Sequence, residues 1–159
     1  MVGNVDPRVG TAPVRSPGLL TALRLLTLAG LAVSVYLTVV HYRGEVPLCT
    51  ENATIDCASV TTSDYSELFG IPVPLLGLAF FAGFGALVVP AAWSSAHPVA
   101  RWGRLASVIV GTLFVVYLVT AELAVLGKIC LWCTAVHVIT LLLLGLVLTD
   151  EYRRLGSGA

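Results

Sequence analysis

The segment KICLWCTAVHVITLLLLGLVLTD, residues 128–150, carries Cys130 and Cys133 three positions apart directly ahead of a long apolar run. At the start of a helix, two thiols at that spacing lie one turn apart and can form a reversible disulfide. The unpaired N–H groups and partial positive charge of a helix N-terminus favour thiolate. Cysteines in such motifs have pKa values lowered to about 3.5–7.5, and Lys128 adds a positive charge close by. The thiolate is the species that attacks disulfides. The pattern therefore supports thiol–disulfide exchange, with a structural disulfide or half a zinc site as the alternatives for a lone C-x-x-C. At the edge of a membrane such a dithiol also stands within reach of lipid-soluble electron acceptors.

A second pair, Cys49 and Cys57, lies in VPLCTENATIDCASVTTSDYSELFGIP with seven residues between the sulfurs. Alone it reads as a loop-closing disulfide. Beside a C-x-x-C it can pass oxidation from one pair to the other. A zinc site built from all four cysteines remains arithmetically open, but the x7 spacing exceeds the x2–4 common in zinc sites and only His41 lies nearby. No metal is expected.

Three further side chains carry candidate roles. His137 follows Cys133 by four positions, hence on the same helix face one turn deeper. An ionisable group inside an apolar span is costly and reads by default as functional. Its roles are a hydrogen bond to an acceptor or passage of a proton, against simple packing. Glu122 precedes the motif and could pair with Lys128, release protons or snorkel to an interface. Tyr65 either helps close a pocket or belongs to an interfacial aromatic belt.

Only 11% of the 159 residues are charged and the mean hydropathy is +0.93, against roughly 25% charged residues in soluble domains. A soluble fold of this length has no interior large enough for that apolar content, so the class is integral membrane. The net charge of zero gives no sign of a nucleic-acid partner. Four runs, 19–40, 72–93, 105–126 and 131–149, reach 19 to 22 residues, near the roughly 20 that cross a bilayer as helix. They lack the alternation of barrel strands. The expected fold is an all-α, four-transmembrane-helix bundle over residues 18–150, with a large extracytoplasmic loop between helices 1 and 2. Residues 1–17 are expected to be a disordered cytoplasmic tail and 151–159 a second cytoplasmic tail, its closing GSGA flexible. The first apolar core is longer than the roughly 7–15 residues of a signal peptide and no A-x-A site follows it, so it reads as a retained helix. Asn52-Ala-Thr54 fits a glycosylation sequon, meaningful only in a eukaryotic host.

Charge divides the connecting segments into two sets. Arg8, Arg15, Arg24, Arg101, Arg104, Arg153 and Arg154 are seven of the nine basic residues. The other face holds Arg43 and Lys128 with Glu45, Glu51, Asp56, Asp64, Glu67 and Glu122. The positive-inside rule puts both termini in the cytoplasm. All four cysteines then lie outside, where disulfides persist. Gly77, Gly83 and Gly85 with Ala79, Ala82 and Ala86 give the second span a small-residue surface for close packing. SDYSELFG could form a short amphipathic cap over the bundle mouth, with Leu68 and Phe69 facing lipid or pocket.

The ordered set Cys49-x7-Cys57, Ser63 six positions later, FGIPVPLLG at 69–77 and CLWC opening the last helix resembles the vitamin K epoxide reductase family in its short bacterial form. The resemblance runs from about Leu19 to Leu148. It implies a multi-pass enzyme of the bacterial plasma membrane that couples oxidation of a thioredoxin-like partner's dithiol to reduction of a quinone (menaquinone, ubiquinone or a vitamin K type) and supports disulfide formation outside the cytoplasm. Reduction of vitamin K quinone or its epoxide is the alternative activity, and a non-enzymatic protein with structural disulfides the other. Carried over, Cys49 accepts electrons from the partner, Cys57 exchanges with Cys130, and Cys133 reduces the quinone. Ser63 would hold the cysteines or the quinone by its hydroxyl. Where animal relatives carry a tyrosine, this chain has His137. Relatives often bear a fused thioredoxin-like domain after the last helix. This sequence continues only about ten residues past it, so the expected partner is a separate protein.

Overall fold

The structure, a computed structural model, describes residues 17–94 and 98–157. The tail expected over residues 1–17 falls outside it except for Pro17, as do the last two residues of GSGA. Helix α1 spans Pro17–Arg43, α3 Val73–Leu87, α5 Pro98–Thr120 continued by a π-helical turn at Ala121–Leu126, and α6 Leu131–Ser157. Short helices α2 (Cys57–Thr61) and α4 (Pro90–Ser94) and a two-residue hairpin, β1 Glu67–Leu68 with β2 Ile71–Pro72, fill the connections. Helix α1 packs against α3 and α6, and α5 against α6 and α3, closing a ring of four.

Three helical stretches, Pro17–Arg43, Pro98–Leu126 and Leu131–Gly156, are long and apolar enough to cross a membrane. Large apolar side chains on their outer faces stand open, Leu25, Leu28, Leu113, Val116 and Leu142 among them. The run expected as one span over 72–93 is instead broken. Helix α3 holds 15 residues, about 22 Å at 1.5 Å per residue, short of the roughly 30 Å of hydrocarbon. It ends because Pro90 disfavours helical geometry at Val89 and has no N–H to continue the ladder. The carbonyls left open there are met by arginines: Arg24 Nε donates to Val88 O at 3.0 Å, and Arg104 Nη1 to Leu87 O at 3.2 Å and Ala92 O at 3.4 Å. Arg104, expected as a loop charge, is thus a buried residue of α5 with its guanidinium 4.8 Å over the Trp93 ring. Helix α5 starts at Pro98, earlier than the span start at 105, and α6 runs on to Ser157 through the expected tail, where Arg101 and Arg154 pair with Glu151 and Asp150.

The main core joins Leu23, Phe81, Phe84, Val88, Val108, Leu143 and Val147 with Trp93. Its tightest contact is Gly30 of α1, where an added Cβ would overlap the Phe81 ring. Polar side chains inside the helices return to their own backbone, as in Thr27 Oγ1 to Leu23 O at 2.6 Å and Thr140 Oγ1 to Val136 O at 2.9 Å, which satisfies them in apolar surroundings. The amphipathic cap expected at SDYSELFG is a 3₁₀ turn at Asp64–Ser66 followed by the hairpin. Phe69 and Gly70, at φ 53° and 76°, make the tight turn that hairpins of this length favour. Leu68 lines a cavity, while Phe69 is 96% exposed.

Candidate thiol–disulfide site

At the end of the bundle opposite the arginines, Cys49 and Cys57 form a disulfide with Cα atoms 6.1 Å apart, and Cys130 and Cys133 are free thiols. The disulfide removes Cys49 and Cys57 as zinc ligands. The loop that carries them is fastened to the C-x-x-C segment largely through backbone. Ile55 and Ile129 form a parallel bridge in which Ile129 N donates to Thr54 O at 3.0 Å and Asp56 N to Ile129 O at 3.1 Å. Trp132 Nε1 donates to Leu48 O at 2.8 Å, and Leu48 N to the Tyr36 hydroxyl at 3.0 Å, with the two rings 4.8 Å apart. The residue ahead of Cys49 is thereby held from both α1 and α6. Lys128, expected to add charge beside the thiols, reaches Ala53 O at 3.0 Å instead.

Local sequence shapes each cysteine's mount. Asn52 Oδ1 accepts from Thr54 N and Ile55 N at 2.9 and 2.8 Å, a side-chain turn of the kind asparagine favours. Asp56 caps α2, accepting from Ser59 N at 2.9 Å and Ser59 Oγ at 2.6 Å. Those bonds, the Ser59 hydroxyl first, hold its carboxyl below the ordinary carboxylate range. Cys57 is the first residue of that short helix. Cys130 immediately precedes α6, and the Cys133 N–H donates to its sulfur at 3.3 Å. The Cys133 thiol, and then the helix-entry N–H groups of Cys133 and Trp132, lower the Cys130 pKa against the opposing effects of burial and Glu122.

Cys57 and Cys130 are both fully buried and belong to one cluster with Val60, against which Cys49, Leu126, Trp132 and Cys133 pack. Cys133 also lines a cavity of about 590 Å³. That volume is within the roughly 300–1,000 Å³ usual for small-molecule sites. Its walls are mainly apolar, including Leu37, Leu76, Phe80, Phe114 and Val136, with polar groups that include His137, Glu122 and Thr140 and, toward the loop, His41, Glu45 and Glu67. A planar, apolar ring with polar edges fits such a lining.

Of the residues singled out in the sequence, the fold brings Cys133, His137, Glu122 and Tyr65 to this cavity, and Cys49, Cys57 and Cys130 to the cluster beside it. Ser63 is not brought in: its hydroxyl donates to Val60 O at 2.8 Å and it does not line the cavity. Glu122 neither pairs with Lys128 nor snorkels. It is 6% exposed, and its carboxyl lies beside the Cys130 backbone N–H and the Cys133 thiol. The π-helical turn that carries it closes at Gly127, whose φ of 61° lets its N–H, like that of Lys128, return to the Glu122 carbonyl. Sequence reasoning passed over Trp132 and Tyr36. The available signal was an indole N–H at the loop-facing end of a helix, where a half-buried tryptophan needs an acceptor.

A disulfide packed against a helix-entry dithiol, at one end of a bundle of membrane-length apolar helices, defines a membrane-type redox protein. Residues 21–148 match the Vitamin K epoxide reductase family, and the chain belongs to that family. It is a family of oxidoreductases whose members use quinones. None of the curated proteins compared with the chain matches it.

Proposed function

We propose that this protein is a quinone-dependent thiol–disulfide oxidoreductase of the bacterial plasma membrane. Its four helices cross the bilayer, with the short α3 completed by α4, both termini are cytoplasmic and the cysteine end faces outward. The observation that carries the reading is the division of the dithiol: Cys130 packs on Cys57 while Cys133 lines the cavity. A relay from a water-borne dithiol to a membrane-dissolved acceptor requires that division. The distribution of basic residues supports the orientation, since the arginine cluster gathers at the far end from the cysteines.

A thioredoxin-like dithiol partner attacks the half-buried Cys49, because Cys57 is fully buried. The Cys49–Cys57 bond breaks, and partner and Cys49 form a mixed disulfide that the partner's second thiol resolves. The two electrons then reside on the loop thiols. With the C-x-x-C pair oxidised, Cys57 thiolate attacks Cys130 and Cys49 resolves the link, leaving Cys130 and Cys133 reduced. A quinone is the acceptor that takes their two electrons, together with two protons. His137, Tyr65 and Glu122 orient it from the cavity wall, and the apolar lining excludes water.

The test is purified protein in detergent with a small dithiol and a short-chain benzoquinone or naphthoquinone, followed by loss of quinone absorbance. Dithiol-dependent quinone reduction that stops on alkylation of the reduced protein is the expected result. Quinone that stays oxidised under every dithiol tried ends the reading.

A further inference from the structure

Glu122 is a buried carboxyl on the cavity that Cys133 lines, and the exchange chemistry above assigns no group to the thiol proton. We propose that Glu122 is the proton carrier of the site, taking the Cys133 thiol proton as the C-x-x-C disulfide forms and handing it to the reduced acceptor in the cavity.

Three observations converge. The carboxyl lies beside the Cys133 thiol and the Cys130 backbone N–H. It lines the same cavity as Cys133 and His137. It sits on a π-helical turn in an otherwise α-helical stretch, a local irregularity that recurs at functional sites.

The chemistry follows from the balance of protons and electrons. In the reduced site the Glu122 carboxylate lies beside the Cys133 S–H. When Cys130 and Cys133 join, an S–S bond forms, the Cys133 S–H bond breaks, and two electrons leave for the quinone. The proton is released beside a buried carboxylate, whose charge is costly to hold in apolar surroundings. The released proton moves to a Glu122 oxygen, giving a neutral acid. That acid then protonates one oxygen of the reduced quinone, and the second proton of the quinol comes from water at the outer end. Glu122 returns to carboxylate, ready for the thiol regenerated from the loop. His137 borders the same cavity and is positioned to accept or relay a proton after it has left Glu122.

The proposal rests on the reading above for the acceptor, and its test separates the two. Redox-difference infrared spectra are taken of the full chain, without quinone, poised with reduced and oxidised dithiothreitol. The expected result is a protonated-carboxyl band present in the oxidised protein, lost on reduction, and missing in both states of Glu122→Gln. Glu122→Asp keeps a carboxyl and displaces the band rather than removing it, which covers a Gln variant that fails to fold. The maximal rate of quinone reduction falls by about 100-fold or more in Glu122→Gln, the usual contribution of a general acid–base group, and recovers in part with Asp. Identical difference spectra in wild type and Glu122→Gln, or a Glu122→Gln rate within about threefold of wild type, overturn the proposal. A wild-type protein inert toward quinones instead ends the reading of the acceptor, and the infrared arm still decides the redox-linked protonation of Glu122.

Discussion

The indole of Trp132, set between the two cysteines of the helix-entry motif, donates to the carbonyl of Leu48, the residue ahead of the loop cysteine Cys49, at 2.8 Å. One side chain thus couples the positions of the two redox pairs. Trp132→Phe keeps an aromatic ring beside Tyr36 and removes the donor together with part of the indole's volume. A single hydrogen bond of this kind contributes roughly 0.5–1.5 kcal/mol net, so the loop should open about two- to tenfold more often. Hydrogen exchange at the Asp56 and Ile129 amides, which close the bridge between loop and motif, reads this directly. Unchanged protection of both amides would show that the backbone bridge alone holds the loop.

Asp56 gives the same docking a pH dependence. Its carboxyl titrates below its ordinary value of 3.8 because the Ser59 hydroxyl and amide bond to the charged form. A depressed folded-state pKa contributes stability above the unfolded value, and that stability is lost as pH falls through 3.8 toward the lower folded one. Protection of the Ser59 amide should therefore be level above about pH 5 and decline below about pH 4. In Asp56→Asn, which still caps but does not titrate in this range, the decline should disappear.

The sulfur chemistry and the helical class were legible because both are local. Cys130 and Cys133 announce themselves by spacing, and each long apolar run is visible within its own window. The features that assemble the site are pairings between distant segments. Nothing near Leu48 in sequence indicates that its backbone will be gripped by Tyr36 and Trp132, and nothing near Glu122 indicates that a π-helical turn will bring its carboxyl to Cys133. The second span was read as continuous because hydropathy does not register that Pro90 ends the helix while arginines from α1 and α5 meet its carbonyls. Ser63 matched by order, yet its hydroxyl has a nearer acceptor in the carbonyl of Val60.

The small-residue surface of α3 illustrates the same point and yields a stability prediction. Gly77 and Gly85 do face α1, with added Cβ atoms 3.0 Å from Ser34 Oγ and 3.6 Å from Thr27 Cγ2, whereas Gly83 faces open space. The position that admits no side chain is Gly30 on the opposing helix, beneath the buried Phe81 ring. Gly30→Ala should destabilise the bundle by roughly 1–3 kcal/mol through overpacking. Gly83→Ala should be neutral or stabilising by up to about 1 kcal/mol, since alanine favours helix. Unfolding of both variants in the same detergent measures the difference, and equal effects would mean that α1 and α3 do not meet as described.

The division of labour between Cys130 and Cys133 predicts a trapped state. With the loop pair oxidised and Cys130 reduced, as here, Cys130 thiolate can attack the neighbouring Cys57. The Cys49–Cys57 bond breaks, a Cys57–Cys130 bond forms, and Cys49 leaves as thiolate. In the wild type, Cys133 attacks Cys130 and resolves that link. Cys133→Ala has no resolving thiol, so the Cys57–Cys130 bridge should accumulate and be the main cross-link found by peptide mapping after acid quenching. Loss of the Cys133 thiol also removes the largest influence lowering the Cys130 pKa, which should move the bridge-forming step toward the ordinary thiol range near about 8.5. Accumulation should accordingly rise with pH over a higher window than exchange in the wild type. Finding only the Cys49–Cys57 bond at every pH would mean that burying Cys57 beside Cys130 does not make them exchange partners.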